Sequence, residues 1–225
     1  SLDPHVCPST DCRTLIRALY ESLVGYVYGS TDIEGVLAEE WEVSEDGLEW
    51  TFTLRDDVHF SYVSPVTAED VAYSFVRLDG IGKGPSFLIS GNYGGSEVVD
   101  EKTVVLKLQK PVGPFLSMLP RAFIVNSEVV KEHATEDDPW AEEWMYDHIA
   151  GSGAFVLENW EHGVEVSLVK NQNYWDPEWP KIERFVVKQI PESSTQRLLL
   201  EQGDIDMIVI PNHDDLAAYE AHPDI

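Results

Sequence analysis

The sequence predicts an α/β protein, a lobe of mixed sheet and helices that carries an inserted β-rich α+β subdomain. Residues 50–54 alternate bulky apolar side chains with Thr and Arg, which is the period of a half-buried strand. Residues 67–70 form a capping box, after which apolar residues recur at helical spacing. Apolar segments at 185–190 and 205–210 flank a helical pattern. This is the order of a βαβ unit, so we expect the two strands to lie parallel in one sheet.

A long helix is predicted near the start of the chain. Thr10 or Asp11 caps it, and the helical pattern continues to about residue 26. Its buried side is formed by Leu15, Leu19 and Leu23. We assign residues 1–40 to the main lobe.

Residues 41–159 are predicted to form the inserted subdomain, because short strand patterns separated by turn residues dominate there. The predicted hairpins pair residues 41–43 with 50–54, residues 98–99 with 103–108, and residues 154–160 with 164–170. Helices are predicted at 67–78, 113–119 and 127–133.

The pattern changes again in residues 160–225, which complete the predicted main lobe. Pro191 ends the strand at 185–190, and a helix follows at 193–202 with Leu198 and Leu199 facing inward. Gly203 ends that helix, and a further helix is predicted from residue 214.

Several segments resemble those of one protein family in their order and approximate spacing. They are LDPH at 2–5, LYESL at 19–23, LAEEW at 37–41, the strand and capped helix at 50–78, GSGAF at 151–155, NQNYW at 171–175 and GDIDM at 203–207. In these segments the chain resembles the family 5 extracellular solute-binding proteins, the dipeptide, oligopeptide and nickel receptors of ABC importers. It departs from the family at Tyr62-Val63, where members usually have an Asp-Gly turn, so we expect a differently shaped turn.

The resemblance implies a lobe of the class II periplasmic-binding-protein type. Family members are considerably longer, so the resemblance also implies the amino-terminal lobe of a two-lobed receptor, with the second lobe absent from this sequence. In that architecture the ligand lies between lobes that close about a hinge.

The implied function is that of the extracytoplasmic substrate-binding component of an ABC importer, which captures a small solute and delivers it to the permease subunits. A peptide is the first expectation, and a sugar or a nickel chelate is the alternative within the family. An adhesion or scaffold module that shares the fold is the alternative of another class. We expect a monomer outside the cell or in the periplasm, tethered by a lipid anchor or signal segment absent from this chain.

Composition limits the other possibilities. The chain has 41 acidic residues against 15 Lys and Arg, a formal net charge of -26, yet 43% of its residues are hydrophobic, which is typical of a folded acidic protein. We interpret this charge as a mark of a halophilic source, and an ordinary acidic secreted protein is the alternative. This excess of negative charge disfavours nucleic acid as a partner, because proteins bind nucleic acid largely by neutralising its phosphates with basic residues.

Sequence motifs give no indication of an enzyme. GxSxG, HExxH, Walker and GxGxxG motifs are absent, and the seven His form no recognisable triad pattern. We therefore expect no catalytic residue and no cofactor. No run of eighteen apolar residues is present, so no segment is predicted to cross a membrane.

The two cysteines are Cys7 and Cys12, and their spacing permits either a small disulfide loop or two unpaired thiols. His5 lies nearby, but three ligands within eight residues lack a zinc-type spacing and a fourth partner, so we predict no metal site.

Candidate ligand contacts are expected in loops that face the cleft. The loop at 5–10 resembles the family segment at the cleft mouth, which makes His5 and Ser9 candidates. The Gly-rich, aromatic region at 85–95 contributes Phe87 and Tyr93, whose rings are suited to stacking on a side chain or a sugar ring. A solvated loop position for His5 and core packing for Phe87 are the structural alternatives.

Overall fold

A computed structural model of the protein describes residues 1–7, 10–209, 211–220 and 222. The helices are α1 (Thr10–Leu19), α2 (Ala68–Ile81), α3 (Phe115–Met118), α4 (Ser127–His133), α5 (Ser193–Gln202) and α6 (Leu216–Glu220). The strands are β1 (Val24–Tyr26), β2 (Ile33–Gly35), β3 (Ala38–Val43), β4 (Glu49–Leu54), β5 (Tyr93–Val98), β6 (Thr103–Leu108), β7 (Phe155–Glu161), β8 (Glu165–Lys170) and β9 (Arg184–Lys188). Short 3-10 helices lie at Gly84–Leu88, Leu119–Arg121, Trp144–Tyr146 and His213–Asp215.

A four-stranded antiparallel sheet in the order β3-β4-β6-β5 forms the first half of the molecule. Phe52 of β4 lies opposite Val104 of β6, and both side chains are buried, as the alternating pattern predicts. The hairpins β3-β4 and β5-β6 confirm the predicted pairings.

Helix α2 packs on this sheet and begins as its local sequence predicts. The Thr67 hydroxyl accepts a hydrogen bond from the amide of Asp70, and the Asp70 carboxylate accepts one from the amide of Thr67. The helix ends where Gly82 adopts the left-handed conformation. Val71, Phe75 and Leu78 on its inner face are buried.

A second core joins the start of the chain to its middle. Its buried members include Ile16 and Leu19 of α1, Val125, Met145 and Leu168. The antiparallel sheet β7-β8-β9 covers one side of this core. Apart from Ile124, which belongs to the first core, the buried hydrophobic residues of 123–150 pack in this second core with α1, whereas the predicted boundaries group residues 41–159 together. The division into lobes stays a prediction.

Helix α1 is shorter than predicted, since it ends at Leu19 and not near residue 26. The carbonyl oxygen of Leu19 accepts a hydrogen bond from the amide of Gly153, and that of Glu21 accepts one from the amide of Ile124. These two amides, which lie far along the chain, replace the amide donors that a continued helix would supply. The chain then continues into β1. A Cβ atom at position 153 would lie 2.4 Å from the carbonyl oxygen of Ala18, so glycine permits this close approach.

The predicted βαβ unit is wrong in the described residues. Strand β9 pairs with β8 and is antiparallel to it, and residues 205–209 form no strand, while residue 210 lies outside the described residues. A strand needs a hydrogen-bonding partner, which its own apolar pattern does not specify. Helix α5 has the predicted bounds, but none of its residues is buried, and Leu198 is 49% exposed.

The turn at Tyr62-Val63 does differ from an Asp-Gly turn in composition, but its backbone takes the same kind of conformation that glycine favours. Val63 has φ of 70° and is largely exposed.

Among the helices of the described residues, none has both the length and the apolar character needed to cross a lipid bilayer.

Candidate functional site

The amino-terminal segment is held in place by a buried polar network. Arg77 of α2 donates to both carboxylate oxygens of Asp3, at 2.8 and 2.6 Å. The Nε2 atom of His5 lies 2.9 Å from the carbonyl oxygen of Phe123, which only accepts, so Nε2 carries the proton. The Nδ1 atom of His5 is then free to accept from Arg77, 3.1 Å away. This network joins three distant parts of the chain.

The position of His5 therefore differs from that expected of a residue that contacts a ligand. Its side chain is fully buried, and burial, followed by the nearby Arg77 charge, lowers the pKa of His5 to about 4. Both ring nitrogens already have partners. Direct contact with a solute stays a prediction, and these observations favour instead a supporting role beneath the surface.

A disulfide joins Cys7 to Cys12, which ties the first turn of α1 to the anchored segment. The amide of Cys7 also donates to the carbonyl oxygen of Asp3 at 3.1 Å. Ser9, another predicted contact, lies in this loop but outside the described residues. The start of α1 is thus connected covalently to the segment that Arg77 holds.

A small pocket opens beside this tether. Its volume is about 20 Å³, which is enough for a group the size of one or two water molecules. We call it the arginine pocket, because its lining includes Arg13, Arg17 and Arg121, together with Cys7, Pro85 and Phe123.

Two arginines of this pocket, Arg17 and Arg121, differ from the four arginines elsewhere in the chain that form ion pairs. The protein has seven arginines, and those at positions 55, 77, 184 and 197 form ion pairs with carboxylates. The other three all line the arginine pocket. Within the described part of the chain, neither Arg17 nor Arg121 forms an ion pair, although acidic residues greatly outnumber basic ones.

Phe87 lies next to this pocket. Its ring is 62% exposed, and the guanidinium carbon of Arg121 lies 5.3 Å from the ring centroid. The structure therefore does not bury Phe87 in the core. Tyr93 is elsewhere, half-buried in β5, where its hydroxyl lies 2.6 Å from Ser96 Oγ and its ring centroid 6.0 Å from that of Phe75. Contact of Tyr93 with a solute stays a prediction, and its position favours packing.

A second, larger pocket adjoins the first and shares Arg17 with it. This aromatic pocket has a volume of about 430 Å³, and its lining includes Ala18, Phe155, Tyr174, Trp179, Lys181 and Ile182. None of these residues is among the ligand contacts predicted from sequence. The sequence signal for this pocket is the density of Trp, Tyr and Pro at 174–180, which overlaps the family-like segment 171–175 only at its start.

Glu21 connects the segments that surround the aromatic pocket. Its carboxylate accepts hydrogen bonds from Tyr174 Oη at 2.7 Å, Trp175 Nε1 at 2.9 Å and Ser152 Oγ at 3.2 Å. Burial raises the pKa of Glu21 to about 7, although the three donors oppose that shift. The segments LYESL, GSGAF and NQNYW therefore meet at one buried carboxyl group.

No cluster of three or more His, Cys, Asp or Glu side chains suited to a metal ion occurs in the part of the chain that the structure describes. The chemistry available at the two pockets is therefore that of guanidinium and ammonium groups beside aromatic rings.

Comparison with known proteins identifies the family. The model of the bacterial extracellular solute-binding proteins, family 5 Middle, matches residues 32–225. The chain is 41% identical over 213 residues to the probable D,D-dipeptide-binding periplasmic protein DdpA of Escherichia coli K12, covering 92% of this chain and 40% of that protein.

Solved structures give the same result. The ABC transporter-associated periplasmic binding protein DppA from Helicobacter pylori, in complex with the peptide STSA, matches with a TM-score of 0.84 and 28% identity, over 99% of this chain and 47% of that one. The protein AgaA in complex with agropinic acid, from A. tumefaciens R10, matches with a TM-score of 0.81 and 30% identity, over 91% of this chain and 40% of that one.

The chain thus spans less than half the length of each of these proteins. The structural matches confirm the α/β prediction and the class II periplasmic-binding-protein type. The family consists of receptors for solutes outside the cytoplasmic membrane. By the match of its family model over most of the sequence, this chain belongs to the bacterial extracellular solute-binding proteins of family 5.

Proposed function

We propose that this chain is part of the substrate-binding component of an ABC importer, which captures a peptide and delivers it to the permease. The observation that carries the proposal is the pair of adjoining pockets that share Arg17, in a lobe whose fold matches a peptide-bound receptor. A charged pocket beside an apolar one suits a solute that has both a charged end and side chains, as peptides do. The relative DdpA is likewise described as dipeptide-binding.

The solute is captured, in this proposal, between this lobe and a second lobe that closes over it. Phe87 is exposed and lies against Arg121, which lines the arginine pocket, and Ser9 belongs to the loop that the disulfide closes, so these two remain the proposed direct contacts. His5 supports the pocket through its bond to Phe123. We propose no catalytic residue and no cofactor.

The setting of the receptor follows from the same proposal. It acts as a monomer outside the cell or in the periplasm, tethered by a lipid anchor or signal segment, and its protein partners are the permease subunits. Its high negative charge belongs to a halophilic source. In that case the melting temperature rises as salt increases to molar concentration, and a melting temperature that is flat over this range contradicts the halophilic origin.

The central experiment is calorimetric titration of the natural full-length protein with di- to pentapeptides, with maltose and a nickel-histidine chelate as alternative ligands. We expect a peptide to bind with micromolar or tighter affinity, and small-angle X-ray scattering to show closure in its presence. Binding of the sugar or the chelate in place of every peptide would contradict the peptide assignment. A rigid protein that binds none of the three and instead holds a protein partner would support the scaffold alternative.

A further inference from the structure

We propose that Glu21 is a proton-controlled positioning residue, which in its ionised form holds Tyr174 as a wall of the aromatic pocket and in its protonated form loosens that wall. This inference rests on the proposed function and deepens it, because it adds control by pH to the capture of the solute. Glu21 lies outside the lining of both pockets, so it acts through its neighbours.

Glu21 connects three parts of the wall of the aromatic pocket. It follows closely after α1, which contributes Ala18 to the lining. Its Oε1 atom accepts from Tyr174 Oη at 2.7 Å, and Tyr174 is itself a lining residue. Its Oε2 atom accepts from Ser152 Oγ at 3.2 Å, in the loop that leads to the lining residue Ala154. One buried carboxyl group therefore joins a helix, a loop and an aromatic segment of the pocket.

The surroundings of Glu21 bring its two protonation states close together in free energy. Burial disfavours the anion. The three neutral donors favour it, in the order Tyr174, Trp175 and Ser152, and the charge of Arg55 adds to their effect. Because burial outweighs these opposing effects only in part, the pKa of Glu21 rises to about 7, and the carboxyl group changes its charge near neutral pH.

The charged and titratable groups around Glu21 come from β3, the segment after β4 and the segment after β8: Glu39, Arg55, Asp57, Tyr174 and Asp176. The guanidinium carbon of Arg55 lies 4.2 Å from the ring centroid of Trp175, and Arg55 also pairs with Asp57. Burial and then the charge of Glu21 raise the pKa of Tyr174, so its hydroxyl keeps its proton and remains a donor at neutral pH. Among the carboxyl group and its three donors, Glu21 is therefore the group that titrates there.

Proton uptake changes the hydrogen bonds that this carboxyl group can form. The ionised group accepts from all three donors, and a hydrogen bond to a charged acceptor is about twice as strong as one between neutral groups. A proton on Oε2 makes that atom a donor towards Ser152 Oγ, while Oε1 still accepts from Tyr174, but as a neutral and weaker acceptor. Tyr174 is then held less firmly. Because a fixed wall leaves less ordering to oppose binding, the ionised form binds the solute more tightly.

The pH dependence of affinity has the opposite sign to that of stability. A solute that prefers ionised Glu21 releases a proton when it binds, so its affinity rises as the pH increases through about 7. Folding, in contrast, favours the protonated form, because burial raises the pKa of Glu21. The form that binds best is therefore the form that costs stability, which is a combination typical of functional sites.

The test is calorimetry of the natural full-length protein with leucyl-leucine, a dipeptide with two apolar side chains, at pH 5.5, 6.5 and 7.5. We expect the affinity of the wild type to rise about three- to tenfold over this range. Glu21→Gln, which mimics the protonated carboxyl group, should bind at every pH about as weakly as the wild type does at pH 5.5. Tyr174→Phe, which keeps the ring and removes its bond to Glu21, should reduce the rise in the same way.

The matched control is Glu69→Gln, the same chemical change at an exposed carboxylate of α2 that pairs with Lys131. It should follow the wild type at each pH. Because titration of the amino group of the dipeptide affects all of these proteins alike, the difference between Glu21→Gln and Glu69→Gln reports the proton on Glu21.

A second arm needs no ligand. The protein is labelled with 5-fluorotryptophan, and the fluorine resonance of Trp175 is identified by its absence from Trp175→Phe. Trp175 Nε1 donates to Glu21 at 2.9 Å, so we expect this resonance to move with pH, with a midpoint near 7, in the wild type and in Glu69→Gln but not in Glu21→Gln.

The outcomes separate proton control from the receptor function. If di- to pentapeptides bind and the pH profiles of the wild type and Glu21→Gln are parallel, or the wild type loses affinity with rising pH relative to the variant, proton control is wrong and the receptor function stands. If no peptide binds but the Trp175 resonance titrates through Glu21, the peptide assignment is wrong and proton-controlled positioning stands. If no peptide binds and the resonance does not titrate through Glu21, both are overturned.

Discussion

Arg77 donates hydrogen bonds to both carboxylate oxygens of Asp3, and neither side chain is exposed to solvent. Two further bonds from Arg77 go to the carbonyl oxygen of Trp140. A buried ion pair is tolerated only when its remaining donors and acceptors are also bonded, as they are here. This pair anchors the amino-terminal segment, whose Pro4 and Cys7 line the arginine pocket, to α2, although the two residues are far apart in sequence.

Replacing Arg77 by Leu should lower the free energy of unfolding by about 3 to 5 kcal/mol, because it leaves the Asp3 carboxylate buried without a counter-charge. Urea denaturation measures the loss. The control is Arg184→Leu, whose pair with Glu158 is exposed and should cost less than about 1 kcal/mol. Equal losses in the two variants would show that the Arg77 pair does not anchor the segment.

The pH dependence of stability should reflect two buried groups with opposite effects. Burial raises the pKa of Glu21 from 4.5 to about 7, so its contribution is fully present below pH 4.5 and is lost as the pH rises through 7. Burial and then Arg77 lower the pKa of His5 from 6.5 to about 4, so its contribution is present above pH 6.5 and is lost as the pH falls through 4. Between pH 4.5 and 6.5 the two slopes offset each other.

Glu21→Gln should remove one slope and reveal the other. We expect the unfolding free energy of the variant, relative to the wild type, to increase with pH by about 1.4 kcal/mol per unit between pH 4.5 and 6.5. Urea denaturation at several pH values provides the profiles. Glu178→Gln, at an exposed carboxylate, is the control. A Glu21→Gln profile parallel to that of the wild type would rule out the raised pKa.

Val63 adopts a backbone conformation that is unfavourable for a β-branched residue, with φ of 70°. Since its side chain is 60% exposed, little packing is lost when it is replaced. Val63→Asn should therefore raise the free energy of unfolding by about 1 kcal/mol, because Asn tolerates the left-handed region. Val99→Asn, at a position that is 57% exposed and has no positive φ, should give no such gain. Thermal unfolding of both variants tests this, and equal changes would refute it.

The disulfide between Cys7 and Cys12 should stabilise both the fold and the arginine pocket. The double variant Cys7→Ser/Cys12→Ser removes a short closed loop, which corresponds to about 2 kcal/mol in the chain-entropy treatment. If the loop also positions α1, which carries Arg17 of both pockets, the affinity for a peptide ligand falls as well. Calorimetry on the oxidised protein, the reduced protein and the variant measures both effects. A stability loss without any change in peptide affinity would limit the disulfide to a structural role.

Elements specified by neighbouring residues were predicted well from sequence. The capping box of Thr67 and Asp70, and Gly203 at the end of α5, act on residues within one helical turn, and the structure has these helix ends as predicted. The β3-β4 and β5-β6 hairpins likewise depend on a short turn between two alternating segments. The family motifs, read together, were also sufficient to identify the family.

Such local patterns do not predict how segments far apart in the sequence pack together. Helix α1 ends at Leu19 because Gly153, far along the chain, donates to its carbonyl oxygen. His5 is buried because Arg77 and Phe123 satisfy both ring nitrogens, which no local property of the loop indicates. Local backbone preferences act over a few residues, whereas each of these contacts requires a partner that only the folded chain brings near. The arginine pocket arises in the same way, because Arg17 and Arg121 meet only after α1 and the segment before Phe123 pack against each other.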